Sequence, residues 1–188
     1  MIANNKIDPN LLDNRDEFAD EFFNRFTLKN DETPLQLNES ISKHYLFPTF
    51  YRDVSCAIGI FLCDYDKAQA MMPHAKMKPI KMPRNKALVT FSCYEYKGVL
   101  GVAPYNEIAM TIPCQIDPSI NVPILPILAE KMFSKFGYHV FHMPVTSLEN
   151  QIRGEKIWGL PKVLDDIAIN IKNDISTLPF KVVEGKNG

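Results

Sequence analysis

The segment 153–163 contains a lysine whose neighbours favour chemistry at its side-chain amine. Lys162 follows a proline, and Trp158, Leu160 and Val163 bring apolar side chains close to it in sequence. Apolar surroundings remove water from an amine and disfavour its charged form. A neutral amine is a nucleophile that forms a Schiff base with a ketone or an aldehyde. A surface turn whose lysine stem covers the Trp ring would have the same local sequence, so both interpretations stay open at this point.

Other motifs for chemistry are weak. His139 and His142 form an HxxH pattern in a β-like stretch, where a spacing of three puts the two rings on opposite faces. We therefore expect no metal site there. The sequence has no glycine-rich phosphate loop and no GxSxG motif, and we expect no cofactor.

Composition narrows the class of protein. The chain has 188 residues and a net charge of −1, which suits one globular domain and argues against binding nucleic acid through bulk charge. It contains no apolar run long enough for a membrane helix and no visible secretion signal. The four cysteines are scattered, which is typical of free thiols in a reducing compartment. We therefore expect a cytoplasmic protein with no membrane partner.

The first 45 residues differ from the rest. A capping box from Asn14 to Glu17 predicts the start of a helix of about three turns. Phe18, Phe22 and Phe26 would form one apolar stripe on that helix, packed on the domain or on another subunit. We divide the chain into an N-terminal helical extension, 1–45, and a β domain, 46–188.

The remainder of the chain is rich in predicted strands. Runs of Val, Ile, Phe and Tyr bounded by Pro, Gly, Asn or Asp predict strands near 53–62, 87–97, 105–115, 138–147, 164–172 and 178–184. Two helices are predicted between them, one from Asp64 or Asp66 to Met72 and one from Ile127 to Phe136. The expected fold is mainly β, a barrel-like antiparallel sheet with a few peripheral helices.

Three blocks of sequence resemble the acetoacetate decarboxylase family and its wider superfamily. The run Gly154–Lys162, ending in IWGLPK, is similar to the family's lysine motif. Upstream, 104–107 (PYNE) followed by Ile112-Pro113 resembles a family strand, and Tyr51-Arg52-Asp53 with Met72-Pro73 resembles the family's arginine segment. The blocks occur in the family's order, and the resemblance covers about 47–172.

The resemblance implies roles for four residues. Lys162 matches the Schiff-base lysine and Glu107 the acid of the pocket, so both are expected to be catalytic. Arg52 matches the arginine near the substrate carboxylate, and Trp158 joins it as a substrate-binding residue. The implied activity is that of a lyase acting on a small keto acid. Aldol, dehydration or hydration chemistry at the same imine, and a non-catalytic module that binds a small carboxylate, are the alternatives.

The chain departs from the family pattern in three places. Val163 stands where the family often has a second lysine, and Glu155 follows Gly154 where the family has arginine. Acetoacetate decarboxylase is itself the usual example of a lysine activated by desolvation or by a neighbouring cation. Because this chain lacks the second lysine, desolvation is left as the main cause that would keep the Lys162 amine neutral. Only 26 residues follow Lys162, fewer than in family members, so the chain is a compact, C-terminally shortened variant, a fragment, or a domain that a neighbouring subunit completes. Uncovered strand edges would favour association, so we expect a homo-oligomer.

Overall fold

The structure is a computed structural model that describes residues 1–30 and 33–169 and the backbone of 181–182. The strands are β1 (Lys29–Asn30), β2 (Leu35–Gln36), β3 (Ser42–Lys43), β4 (Leu46–Phe47), β5 (Tyr51–Asp64), β6 (Met77–Pro79), β7 (Lys86–Val99), β8 (Tyr105–Ile116), β9 (Phe136–Val145), β10 (Lys162–Leu164), β11 (Ile167–Ala168) and β12 (Lys181–Val182). The helices are α1 (Glu21–Asn24), α2 (Tyr65–Ala70), α3 (Leu125–Leu128) and α4 (Leu148–Trp158), with 3-10 turns at Arg15–Phe18 and Glu130–Met132. None of the described helices combines the length and the apolar character needed to cross a bilayer.

The main sheet contains six of the described strands. Its order is β10-β9-β8-β7-β5, and β6 pairs with β8. Residues 100–104 join β7 to β8, a connection too short for a parallel crossover, so this pair is antiparallel. The prediction of a mainly β fold with few helices is confirmed. The described strands form an open path that ends at β5 and β10 rather than a closed barrel.

The chain divides into two compact units. Unit 1 comprises Met1–Ala57, Cys93–Ile108 and the chain from Pro144 onward, and unit 2 comprises Ile58–Ser92 and Ala109–Met143. The core of unit 1 consists of two clusters, one of Tyr45, Val99, Val102 and Tyr105 and one of Phe18, Phe50 and Leu100. The core of unit 2 consists of Ala68, Met72, Ala87, Ile112 and Cys114. The division at residue 45 stays a prediction.

The predicted N-terminal helix of three turns is wrong. The segment forms the 3-10 turn Arg15–Phe18 and then the single-turn α1. Phe18 is buried, but 52% of Phe22 and 41% of Phe26 are exposed, so the three rings do not form one buried stripe.

Asn14 explains why the helix does not start where the capping box predicts it. Its side-chain amide donates to the carbonyl of Val99 at 2.8 Å, and its oxygen accepts from the backbone N–H of Gly101 at 2.5 Å. A side chain bound to the β7–β8 connection is not available to cap a helix. Asp20 caps α1 instead, by accepting from the N–H of Phe22.

The predicted helix from Ile127 to Phe136 is also wrong. Helix α3 ends at Leu128, because Ala129 has φ −132° and ψ 48°, outside the helical region. Phe136 already begins β9. Leu128 and Met132 are each 77% exposed.

The other predicted elements agree with the structure where it describes them. The strands predicted near 53–62, 87–97, 105–115 and 138–147 are β5, β7, β8 and β9, and the helix predicted to end at Met72 is α2. The strand predicted over 164–172 is divided into β10 and β11, and residues 170–172 lie outside the described residues. Of the strand predicted over 178–184, only the backbone of β12 is described, and β12 pairs with β11.

Candidate active site

Helix α4 carries most of the lysine motif, a segment for which no helix was predicted. The hydroxyl of Ser147 accepts from the N–H of Asn150 at 3.4 Å and caps the helix. Gly159 follows the last residue with φ 64°, a left-handed conformation that glycine adopts without strain. Ser147 and Gly159 were the sequence signals for this helix, and they were missed.

The turn after α4 directs Lys162 back across the helix. The N–H of Leu160 bonds to the carbonyl of Gly154 at 3.0 Å, which reverses the chain before β10 begins at Lys162. The lysine side chain then lies directly on Gly154. A Cβ at position 154 would lie 2.3 Å from Cδ of Lys162, so only glycine leaves room for this side chain.

Lys162 and Glu107 form a buried ion pair. Nζ of Lys162 donates to Oε2 of Glu107 at 2.5 Å, and the two side chains are 6% and 5% exposed. Glu107 is the third residue of β8, where the whole run from Tyr105 to Ala109 is buried. The described contacts give Nζ this single hydrogen-bond acceptor, together with the ring of Tyr105, whose centroid is 5.7 Å away. The structure thus brings the two expected catalytic residues into contact.

Tyrosines surround the carboxylate of Glu107. The hydroxyl of Tyr96 donates to Oε1 of Glu107 at 3.4 Å, and the rings of Tyr96 and Tyr105 lie 4.7 Å apart. Burial raises the pKa of Tyr96 and of Tyr105, and the negative charge of Glu107 raises each pKa further. Burial also raises the pKa of Tyr51. These hydroxyls therefore remain protonated near neutral pH and can donate hydrogen bonds.

The two expected substrate-binding residues lie in more open positions. The guanidinium of Arg52 forms an ion pair with Glu17 at 3.2 Å, and both side chains are half-exposed. Trp158 is 47% exposed and packs edge-to-face against Phe47, with ring centroids 6.2 Å apart. No hydrogen bond, ion pair or cation–π contact in the described part of the chain joins Arg52 or Trp158 to Lys162 or Glu107.

Sequence reasoning missed Arg153 as a member of this region. The buried residues of α4 are Glu149, Asn150, Arg153 and Gly154, so this helix buries a polar face. Arg153 is 2% exposed. Apolar periodicity, the usual signal for a buried face, cannot find such a residue. Its one sequence signal was its place beside Gly154 in the lysine motif.

The described part of the chain contains no cluster of three or more metal-ligating side chains. Lys162 and Glu107 are an amine and a carboxylate in direct contact, which is a donor and acceptor pair for proton transfer. Chemically, the pair can supply a nucleophile and a group that accepts and returns its proton.

Comparisons with known proteins relate this chain to one family. The family model for acetoacetate decarboxylase matches residues 32–186. The crystal structure of acetoacetate decarboxylase from Legionella pneumophila subsp. pneumophila str. Philadelphia 1 is similar with a TM-score of 0.50 and 18% identity, over 68% of this chain and 42% of that chain. An acetoacetate decarboxylase-like enzyme from Sphingomonas wittichii RW1 gives a TM-score of 0.43 and 18% identity, over 65% of this chain and 44% of that chain. A comparison with curated proteins found no match.

The chain spans less than half the length of either solved structure. At this identity the structural similarity shows the fold alone, whereas the family model covers most of the chain and includes the lysine motif. The chain belongs to the acetoacetate decarboxylase family.

Proposed function

We propose that the protein is a Schiff-base-forming lyase that acts on a small keto acid through Lys162, with Glu107 as the proton carrier. The observation that carries the proposal is the buried pair of these two residues, in which the described contacts give the amine one hydrogen-bond acceptor. Separated charges are penalised in a buried site, so transfer of the proton from Lys162 to Glu107 would remove both charges together. The neutral amine so formed is the nucleophile.

The reaction then proceeds through an imine. Nζ of Lys162 adds to the ketone carbon and gives a carbinolamine, and the proton on Glu107 allows the hydroxyl to leave as water. The resulting iminium accepts the electron pair of the bond to the carboxylate, so CO2 leaves and an enamine remains. A proton from solvent adds to the enamine carbon, and water hydrolyses the imine to release the ketone and the free amine.

Arg52 and Trp158 remain candidate substrate-binding residues, neither of them tested. To bind a carboxylate with both oxygens, Arg52 has to exchange Glu17 for the substrate, which is feasible because this ion pair is half-exposed and weak. The exposed ring of Trp158 offers an apolar surface to a bound ligand.

Borohydride trapping tests the imine. The protein is incubated with acetoacetate or pyruvate, reduced, and analysed by peptide mass spectrometry for an adduct on Lys162. We expect an adduct in the wild type and none in Lys162→Ala. An assay for CO2 release then separates decarboxylation from aldol, dehydration or hydration chemistry. No adduct with any member of a panel of keto acids would overturn the proposal.

A second candidate is a non-catalytic module that binds a small carboxylate. It is favoured by the ion pair itself, in which Glu107 engages the amine that would have to react, and by Val163, which stands where the family often has a second lysine. This candidate predicts binding of keto acids without a trapped adduct and without release of CO2.

The proposal includes a homo-oligomer in the cytoplasm. Strand β5, at one end of the described sheet path, exposes Ile58, Ile60 and Leu62 by 58%, 61% and 64%. A second copy that covers this edge would remove apolar surface from water. Light scattering of the purified protein tests this, and a monomer at all concentrations would exclude it.

A further inference from the structure

Arg153 is a buried cation for which the described residues supply no carboxylate partner. Its Nη1 donates to Oδ1 of Asn150 at 3.2 Å and its Nη2 donates to Oγ1 of Thr49 at 3.3 Å. Its Nε is buried and has no hydrogen-bond acceptor among the described residues. No carboxylate in the described part of the chain forms an ion pair with it. Burial of a charge that lacks a counter-ion is strongly unfavourable.

The contacts that Arg153 makes do not neutralise it. Its guanidinium lies 4.5 Å from the ring centroid of Tyr45 and 5.5 Å from that of Trp158. Cation–π contacts offset part of the lost hydration but bring no negative charge. A guanidinium has five N–H donors, and the two neutral acceptors leave three available, including Nε.

Two observations connect Arg153 to the Lys162 site. The next residue, Gly154, is the one on which the Lys162 side chain lies. The charges of Arg153 and Glu107 also act on the same tyrosine hydroxyls: Arg153 lowers and Glu107 raises the pKa of both Tyr51 and Tyr105, against the larger effect of burial. The charges of Arg153 and Glu107 therefore both act on Tyr51 and Tyr105, and Nζ of Lys162 lies 5.7 Å from the ring centroid of Tyr105.

We propose that Arg153, rather than Arg52, binds the carboxylate of the keto acid whose carbonyl reacts with Lys162. A carboxylate placed on Nε and one Nη supplies the missing negative charge and satisfies the buried Nε. Arg52 already has Glu17 as its partner and is half-exposed. The inference rests on the proposed function and assigns the group that selects a substrate with a negative charge. Arg153 is in this sense a substrate-binding residue.

Two ketones, one with a free carboxylate and one with an ester in its place, test whether Arg153 recognises the negative charge of the ligand. Acetoacetate and ethyl acetoacetate both carry the reactive ketone, but only the first has a free carboxylate. In Arg153→Gln, we expect the acetoacetate concentration for half-maximal trapping on Lys162 to rise by about 10- to 100-fold, the range for loss of hydrogen bonds to a charged group. Trapping of the ester should stay close to that of the wild type, which also shows that the variant is folded. Arg153→Lys, which keeps the charge, should recover part of the loss.

Other results would overturn the inference. An equal change for acid and ester in Arg153→Gln, or no change for either, would give Arg153 a structural role only. If trapping of the acid weakens in Arg52→Gln and not in Arg153→Gln, the result would show that Arg52 binds the carboxylate.

Failure of the imine chemistry is distinguishable from failure of this inference. If the wild type gives no adduct with either compound, the proposed function fails, and 3-hydroxybutyrate, which has the carboxylate but no ketone, still tests Arg153. It should raise the melting temperature of the wild type and of Lys162→Met but not that of Arg153→Gln. The same increase in all three proteins, or none in the wild type, would contradict the role of Arg153.

Discussion

The described residues of unit 1 contain a partly buried and a fully buried lysine–glutamate pair, Lys43–Glu149 and Lys162–Glu107, that differ in how fully the lysine is bound. Nζ of Lys43 donates to the carbonyl of Gly101 at 2.6 Å and to Oε1 of Glu149 at 2.9 Å, with the carbonyl of Leu12 at 3.5 Å. Tyr45 donates to the same carboxylate oxygen of Glu149 at 2.7 Å. An ammonium has three donors, and at Lys43 each has an acceptor.

Lys162 is more deeply buried and less completely bound. Its described hydrogen bond is to Glu107 alone. Lys43 adjoins a cavity of about 300 Å³, lined among others by Leu12 and Gly101, yet its nitrogen is saturated. We therefore expect an incomplete set of acceptors, rather than proximity to a cavity, to mark a reactive lysine. A lysine whose three donors all have acceptors stabilises the fold, whereas Lys162 has one described acceptor for three donors.

The largest expected effect is the loss of all imine chemistry in Lys162→Met. Without the amine no adduct can form, so trapping and CO2 release should fall to background. Lys43→Met is the matched control and should still give the adduct on Lys162. Loss of the adduct in both variants, with both folded by circular dichroism, would show that the two lysines are not functionally distinct.

Exchange of Glu107 for Gln should separate imine formation from proton transfer. The amide keeps the size of the side chain but cannot carry the proton, so turnover should fall by about 10² to 10⁴ while a trapped adduct still forms slowly. Glu149→Gln is the control at the other pair and should leave turnover near that of the wild type. Undiminished turnover in Glu107→Gln would exclude Glu107 as the proton carrier.

The pair at Lys43 should contribute more to stability than to activity. Removal of one partner leaves the other as an uncompensated buried charge, so Lys43→Met should lower the free energy of unfolding by about 3–5 kcal/mol in urea titrations. The double variant Lys43→Met/Glu149→Gln, which leaves no lone charge, should regain part of the loss. A change below about 1 kcal/mol in the single variant would indicate that this pair behaves like an exposed one.

Gly154→Ala should disturb only the Lys162 pair. The added methyl group would overlap Cδ of Lys162, which has to move, at a cost of about 1–3 kcal/mol in stability and with slower adduct formation. Gly137→Ala is the control, because a Cβ there meets no described atom within 4 Å. Normal trapping in Gly154→Ala would show that the Lys162 side chain can react without lying directly on residue 154.

The smallest effect concerns stability at alkaline pH. Burial raises the pKa of Tyr51, Tyr96 and Tyr105 above the ordinary value of 10.0. At pH values above about 10 the unfolded chain loses these protons while the folded chain keeps them, so stability should decrease as the pH rises and stay unaffected below that value.

Melting temperatures recorded from neutral pH to about pH 11 test this. The decrease should be shallower in Tyr96→Phe than in the wild type, and Tyr138→Phe, at a half-exposed tyrosine, should change it less. Equal slopes in all three proteins would show that the tyrosines around Glu107 do not contribute.

Local patterns predicted the long strands well. The apolar and β-branched runs of β5, β7, β8 and β9 are bounded by turn residues, and the structure places strands there within a few residues. The same reasoning failed at Asn14, whose side chain binds the distant backbone of Val99 and Gly101. It failed again after Leu128, where a change of backbone conformation at Ala129 ends the helix although the spacing of apolar residues continues.

The candidate site was predictable in part. Lys162 and Glu107 were chosen from sequence motifs, and their contact joins residues 55 positions apart in the chain. Arg153 was not chosen, because nothing in its neighbours indicates that α4 buries a polar face. Arg52 was expected beside a substrate carboxylate, but the structure pairs it with Glu17.

The sequence by itself determined the mainly β fold, the family and the choice of Lys162 as the candidate, because alternation of side chains and a contiguous motif are local properties. Only the tertiary structure decided how many acceptors each amine has. These acceptors come from distant segments: Gly101 and Glu149 bind Lys43, whereas the described residues give Lys162 only Glu107. Their number depends on how those segments pack, and a linear pattern of residue types does not contain it.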